Sequence, residues 1–259
     1  MNLEGSVIVV TGSGTGLGAA TVKQAAAKGA NVVVNYTKSE TEAMATAAAC
    51  RELGAEALVC QADVSVDADC RRLAAEAVAK WGRIDGLVNN AAASVFASAS
   101  DLESLSGEDF LRVFSVNVVG PYQMTRAVAP HLKASGHGAI VNISSISAIR
   151  GGGSSIAYAA SKGALNTMTL SLAQALAPEV RVNAVGPGVF PSRWWGDGLG
   201  EERANSLFEQ FVEQVPLKSQ GTPDSVAGTV LWLLEGADHI TGETLMIDSG
   251  MHLMGFRAR

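Results

Sequence analysis

An α/β fold, a doubly wound parallel sheet with helices on both faces, is the architecture that this 259-residue sequence predicts. Short β-branched runs alternate with longer Ala-rich segments of helical period, the pattern of a parallel sheet with right-handed crossovers. The runs are continuously apolar, as strands buried on both faces require. Strands are expected near Ser6–Thr11, Asn31–Asn35, Glu56–Gln61, Ile84–Asn89, Ala139–Ser144, Arg181–Val185 and Thr244–Asp248. Helices are expected over Thr15–Lys28, Ser39–Leu53, Asp67–Trp81, Gly107–Ala134, Ser155–Ala177 and Pro223–Leu234. No repeat or linker interrupts the rhythm, so residues 1–259 read as one domain. Two segments break the pattern: Arg150–Ser155, with three consecutive glycines, and Val189–Pro216, with a Trp194–Trp195 pair, three glycines and an amphipathic stretch.

Composition narrows the function. Nineteen basic residues against 25 acidic ones give a net charge of −6, which disfavours nucleic acid and anionic membrane surfaces as partners. No run reaches the ~18 apolar residues of a membrane span, and Glu4 with the short run Val7–Val10 is not a signal peptide. Three cysteines lack CxxC spacing and four histidines form no i, i+4 pair, so neither a disulfide framework nor a metal site is expected. The expectation is a cytoplasmic domain of the size of an enzyme.

The first strand runs into Gly12-Ser13-Gly14-Thr15-Gly16-Leu17-Gly18 and then a helix. Such a turn offers unshielded backbone N–H groups and the positive end of a helix dipole, which suit a pyrophosphate. A strict GxGxxG pattern fits only with Ala19 in the third glycine's place. Among three tyrosines, only Tyr158 has a lysine four residues later, Lys162. On a helix these two share a face, and a nearby cation lowers a phenol's pKa by ~1–3.

Thr11-Gly12-x-x-x-Gly16-x-Gly18 resembles the signature of the short-chain dehydrogenase/reductase superfamily, and the likeness extends over essentially the whole chain. It implies a single-domain Rossmann-like fold and hydride transfer between a nicotinamide and a carbonyl or secondary-alcohol carbon. Ser145, thirteen residues before Tyr158, resembles the family's strand-end serine that bonds the substrate carbonyl; Ser144 reads as a turn residue. Asn117, in Asn117-Val118-Val119-Gly120, resembles the helix asparagine that holds a relay water. With Tyr158 as general acid or base and Lys162 holding the nicotinamide ribose, the implied tetrad is complete.

Further cofactor contacts follow from the same resemblance: Asp63 and Val64 at the adenine, Asn90 and Ala91 in an NNAG-like motif with Ala92 replacing its glycine, and Pro187, Gly188 and Ser192 beside the carboxamide. The second strand ends in Asn35-Tyr36-Thr37-Lys38 with no acid for a ribose diol, while Lys38 is placed to neutralise a 2′-phosphate. NADP(H) is therefore the preferred cofactor, with NAD(H) the alternative. Substrate contacts are expected from Ser145, Ser147, Phe96, Val189, Trp194 and Trp195, the last two on a lid at about 189–216. The resemblance also implies a homo-oligomer, a tetramer. The reading is a ketone or β-ketoacyl reductase. The alternatives are a dehydrogenase of a sugar, diol or steroid alcohol, and, in another class, a catalytically silent NADP(H)-sensing regulator.

Overall fold

The computed structural model describes residues 1–254. In chain order its elements are β1 (Val7–Val10), α1 (Gly16–Ala27), β2 (Asn31–Tyr36), α2 (Glu40–Glu52), β3 (Ala57–Gln61), α3 (Asp67–Trp81), β4 (Gly86–Asn89), α4 (Gly107–Phe114), α5 (Gly120–Ser135), β5 (Gly138–Ile143), α6 (Ser147–Arg150), α7 (Ile156–Leu176), β6 (Val180–Pro187), α8 (Arg193–Leu199), α9 (Glu201–Gln214), α10 (Pro223–Glu235) and β7 (Thr244–Ile247). The seven strands form one sheet in the order β3-β2-β1-β4-β5-β6-β7, and every pairing is parallel. The expected doubly wound α/β architecture is borne out.

Alternation along the apolar strands builds two cores. Val7, Val9 and Val33 face a cluster with Leu73 of α3, Met124 and Leu132 of α5 and Leu176 of α7. Ile8, Val10, Val32 and Val34 face the opposite cluster, with Ala43 and Ala47 of α2 and Val226 and Leu231 of α10. Each such side chain, fully buried, contributes ~1.5–3 kcal/mol relative to exposure. Strand order reverses between β1 and β4, so the ligand crevice of this topology opens beyond their carboxyl ends.

Three local features depart from the expected elements. The segment Gly107–Ala134 is divided: α4 and α5 are joined by a π-helical turn, Ser115–Val119, in which the Gly120 N–H reaches the Ser115 carbonyl. Pro121 carries no N–H for the carbonyl one α-turn back, that of Asn117, which removes an ordinary helical bond at this point. The amphipathic stretch Val189–Pro216 forms two helices, α8 and α9. Within the glycine-rich break, a single turn, α6, precedes the αL residue Gly151.

Candidate active site

The glycine turn after β1 is braced from behind. The Gly12 N–H donates to Asn35 Oδ1 (2.9 Å), and Asn35 Nδ2 donates to the carbonyls of Cys60 and Ala62. Asn35 is buried, and its bonds tie the turn to the ends of β2 and β3. From the other side the Thr11 hydroxyl accepts the N–H groups of Asn90 and Ala91, both at 3.0 Å, while Asn90 Nδ2 donates to the Thr11 and Gly12 carbonyls. Gly12 adopts φ +61, and an added Cβ at Gly18 would lie 2.6 Å from the Gly12 carbonyl oxygen. The turn thus has no room for a side chain at position 18.

At the start of α1 the N-cap Thr15 makes no side-chain cap, and the first turn holds no acid. Unsatisfied N–H groups at a dipole's positive end, beside a turn closed to Cβ atoms, fit the pyrophosphate of a dinucleotide. Lys38 is exposed just beyond β2. Asp63 is part of a tight turn: its Oδ1 accepts the N–H and hydroxyl of Ser65. Val64 is buried. One group beyond the expected set is Glu40, whose negative charge near the Tyr36 side chain helps hold that phenol protonated, the larger cause being burial. Its position in the first turn of α2, five residues beyond Asn35, is the signal that could have found it.

Beyond β5 the chemistry-bearing side chains gather. Ser144 Oγ is taken by Asn166 Oδ1 (2.5 Å). Ser145 Oγ instead accepts the Ser147 N–H (3.1 Å), and Ser145 lies near enough to the Tyr158 side chain to lower its pKa. Ser147 is itself buried in the first turn of α6. Tyr158 lies in the first turn of α7, its N–H capped by Ser155 Oγ. Lys162, one turn on, is 2% exposed; its Nζ donates to the Ile143 carbonyl (2.7 Å) and sits 5.6 Å from the centre of the Tyr158 ring. Asn117 lies in the π-helical turn. Its Oδ1 accepts the Ala93 N–H, and its Nδ2 donates to the Ala93 carbonyl and to Ser161 Oγ. The side chain therefore joins the segment after β4 to α7. In turn, the Ser161 hydroxyl donates to the Tyr158 carbonyl.

The electrostatic balance differs from the expectation of a cation-lowered phenol. Burial pushes Tyr158 up to about 12, opposed only by the nearby Ser145, and burial pushes Lys162 down to about 7. Desolvation disfavours the charged form of each group. For Lys162 the folded value lies below its ordinary 10.5, so between about 7 and 10.5 the unfolded chain binds more protons and stability rises with pH. Below 7 the penalty is complete. Lys162→Met is accordingly expected to raise unfolding stability at pH 7 by ~1–3 kcal/mol, a gain that shrinks toward pH 10. Urea melts across that range check it; a gain independent of pH would refute the buried cation.

Pro187 ends β6, its carbonyl accepting the Ile146 N–H, and the Gly188 N–H donates to Ile247. Val189 is half-buried just beyond, and Ser192 is the N-cap of α8 with its side chain uncommitted to the cap. From α8, Trp194 places its ring 5.5 Å from that of Tyr158, and Phe96 lies 6.3 Å and 6.0 Å from Trp194 and Trp195. A cavity of about 220 Å³ opens here. Another, about 190 Å³, lies at the amino-terminal ends of β5 and β6 among Met1, His137, Arg181 and Asp238, remote from Tyr158.

Residues 12–252 match the family model described as enoyl-(acyl carrier protein) reductase. A structure of a mutant Serratia marcescens short-chain dehydrogenase/reductase superimposes with a TM-score of 0.87 at 32% identity, covering 97% of this chain and 100% of that one. The chain belongs to the short-chain dehydrogenase/reductase superfamily. It is an oxidoreductase of CH–OH and carbonyl groups that uses a nicotinamide dinucleotide. Among its short-chain dehydrogenase/reductase relatives, a Streptomyces violaceoruber protein named as a granaticin polyketide synthase ketoacyl reductase is 40% identical over 97% of this chain and 98% of its own. The crystal structure of an NAD+-bound xylitol dehydrogenase superimposes with a TM-score of 0.86 at 30% identity, over 96% of this chain and 100% of the other. Among the described residues no helix is long and apolar enough to cross a membrane.

Proposed function

We propose that this short-chain dehydrogenase/reductase is an NADP(H)-preferring ketone reductase whose chemistry is carried by Ser145, Tyr158 and Lys162. The supporting observation is Ser145 near the Tyr158 side chain, beside the buried Lys162 and against an aromatic cavity. A bound dinucleotide supplies the hydride. Ser145 donates its hydroxyl to the substrate oxygen, and Tyr158 passes its proton to that oxygen as the alcohol forms. A phenol pushed up to about 12 is protonated at neutral pH, which suits a general acid in the reducing direction. Lys162, when protonated, stabilises the phenolate left behind. Asn117 acts through Ala93 and Ser161 as a positioning residue.

The backbone of Gly12–Gly18 receives the pyrophosphate, Asp63 and Val64 the adenine, Asn90 and Ala91 the ribose side, and Pro187, Gly188 and Ser192 the carboxamide. Lys38 faces the 2′-phosphate. The Streptomyces relative's name supports ketone reduction. One observation favours NAD(H) instead: Glu40 brings a carboxylate to the end of β2 through Tyr36. Lys38→Glu is expected to lower the ratio of kcat/KM with NADPH to that with NADH by about tenfold or more, since a carboxylate there repels the 2′-phosphate. An unchanged ratio removes Lys38 from the site. A panel of ketones and alcohols assayed with both dinucleotides tests the whole reading, and turnover of none of them overturns it.

Exposed Leu111 and Tyr122 near the α4–α5 junction, and exposed Leu170, Trp232 and Leu245, support a homotetramer, because large apolar side chains in groups on the surface mark subunit contacts. The segment 189–216 acts as a lid over the cleft. The proposed setting is cytoplasmic, in a single-domain enzyme.

A further inference from the structure

We infer that the cleft beside Tyr158 selects a neutral, single-ring aryl ketone, and that Asp197 and Gly198 set this choice. This rests on the reductase reading above. The cavity of about 220 Å³ is lined by Ser94, Phe96, Trp194, Asp197 and Gly198. A cavity of roughly 150 Å³ holds a benzene ring, so this cleft, which opens to solvent, has room for a ring with a short substituent.

Its walls favour an aromatic guest. The Trp194 ring is inclined 55° to that of Tyr158, and Phe96 is inclined 58° and 75° to Trp194 and Trp195. These are the tilted and edge-on arrangements in which aromatic rings attract one another, and a substrate ring would extend the set toward the phenol. The polar groups are few. Ser94 Oγ is already bonded to Ser154 Oγ (2.5 Å) and to the Val95 carbonyl. Among the described residues lining the cavity, the sole charge is the exposed Asp197 carboxylate. A substrate carboxylate would therefore meet a like charge with no lysine or arginine on the lining to offset it. A polyhydroxylated substrate would find too few partners for its hydroxyls.

Gly198 fixes the width. An added Cβ at this position would run into the Phe96 ring, so any larger residue turns Phe96 into the space the substrate ring needs.

The test compares para-acetylbenzoate with its methyl ester. Calorimetry on enzyme saturated with NADP+ or NAD+ reads binding without turnover. The ester is expected to bind about tenfold more tightly than the carboxylate, because a carboxylate placed in this cleft meets the like charge of Asp197. Asp197→Asn should narrow the gap to within about threefold, while Gly198→Ala should weaken the ester by about tenfold and leave dinucleotide affinity within about twofold. Equal binding of the two ketones, a gap that survives Asp197→Asn, or no binding of the ester overturns the inference. Turnover with reduced dinucleotide is a separate readout. An ester that binds as described but is never reduced sinks the reductase reading alone; reduction of aliphatic ketones without binding of the ester sinks the aryl pocket alone.

Discussion

Tyr158→Phe is expected to lower kcat/KM for ketone reduction by about 10²–10⁴-fold, the usual worth of a positioned general acid, while dinucleotide affinity changes by less than about twofold. The ring remains. Its packing 5.5 Å from Trp194 and its place beside Lys162 Nζ involve the aromatic face, not the hydroxyl. What disappears is the proton donor near Ser145. Steady-state kinetics and a fluorescence titration with reduced dinucleotide separate the two effects. Near wild-type turnover would take Tyr158 out of the chemistry, and a parallel loss of dinucleotide binding would make its role structural. In the wild type the phenol, pushed up to about 12, keeps its proton across the neutral range, so reduction should fall as pH rises through about 7 only through loss of the Lys162 proton that stabilises the phenolate left behind. Oxidation of the matching alcohol should climb as pH rises, since it needs the phenolate.

Gly18→Ala is expected to weaken dinucleotide binding by about 100-fold or more and to cost ~1–3 kcal/mol of folding stability, the range for forcing a methyl into a filled space. The new Cβ would stand 2.6 Å from the Gly12 carbonyl oxygen, 2.7 Å from Asn90 Nδ2 and 2.7 Å from the Ser13 Cα. Two of these are backbone atoms of the turn itself, so no flexible side chain can yield. The third donates to the Thr11 and Gly12 carbonyls, and displacing it unties the segment after β4 from the turn. Calorimetric titration with NADPH and NADH, together with urea melts, reads both effects. Unaltered affinity for both dinucleotides would mean that this turn does not receive the pyrophosphate.

Legibility in the sequence follows the range of the interactions. The apolar strand periodicity, the crowded glycines after Thr11 and the Tyr158–Lys162 spacing are local patterns, each set by the chain's own geometry, and the parallel sheet follows from them. The expectation of Ser145 over Ser144 came from the spacing to Tyr158 that the family resemblance implies; in the fold the two hydroxyls have different partners, Ser144 donating to Asn166 Oδ1 and Ser145 accepting the Ser147 N–H. Asn35 was expected at the cofactor, yet its side chain is spent on Gly12, Cys60 and Ala62, all contacts between residues distant in sequence. The π-helical turn at Asn117 was missed, although Pro121, four residues on, marks where an ordinary helix loses a bond.

By itself the sequence determined the layered α/β class, the place of the phosphate turn and the identities of the chemical groups, because these depend on side-chain periodicity and on neighbours within one turn or strand. The tertiary structure alone decided which way the titratable groups lean. Lys162 and Tyr158 stand one helical turn apart, and spacing predicts attraction between ammonium and phenolate. Folding buries both, and the loss of water outweighs that attraction, raising the phenol and lowering the amine. The shape of the cleft was likewise a tertiary matter, since Phe96, Gly198 and Tyr158 come from three separate segments that meet only when β4, β6 and α7 lie side by side.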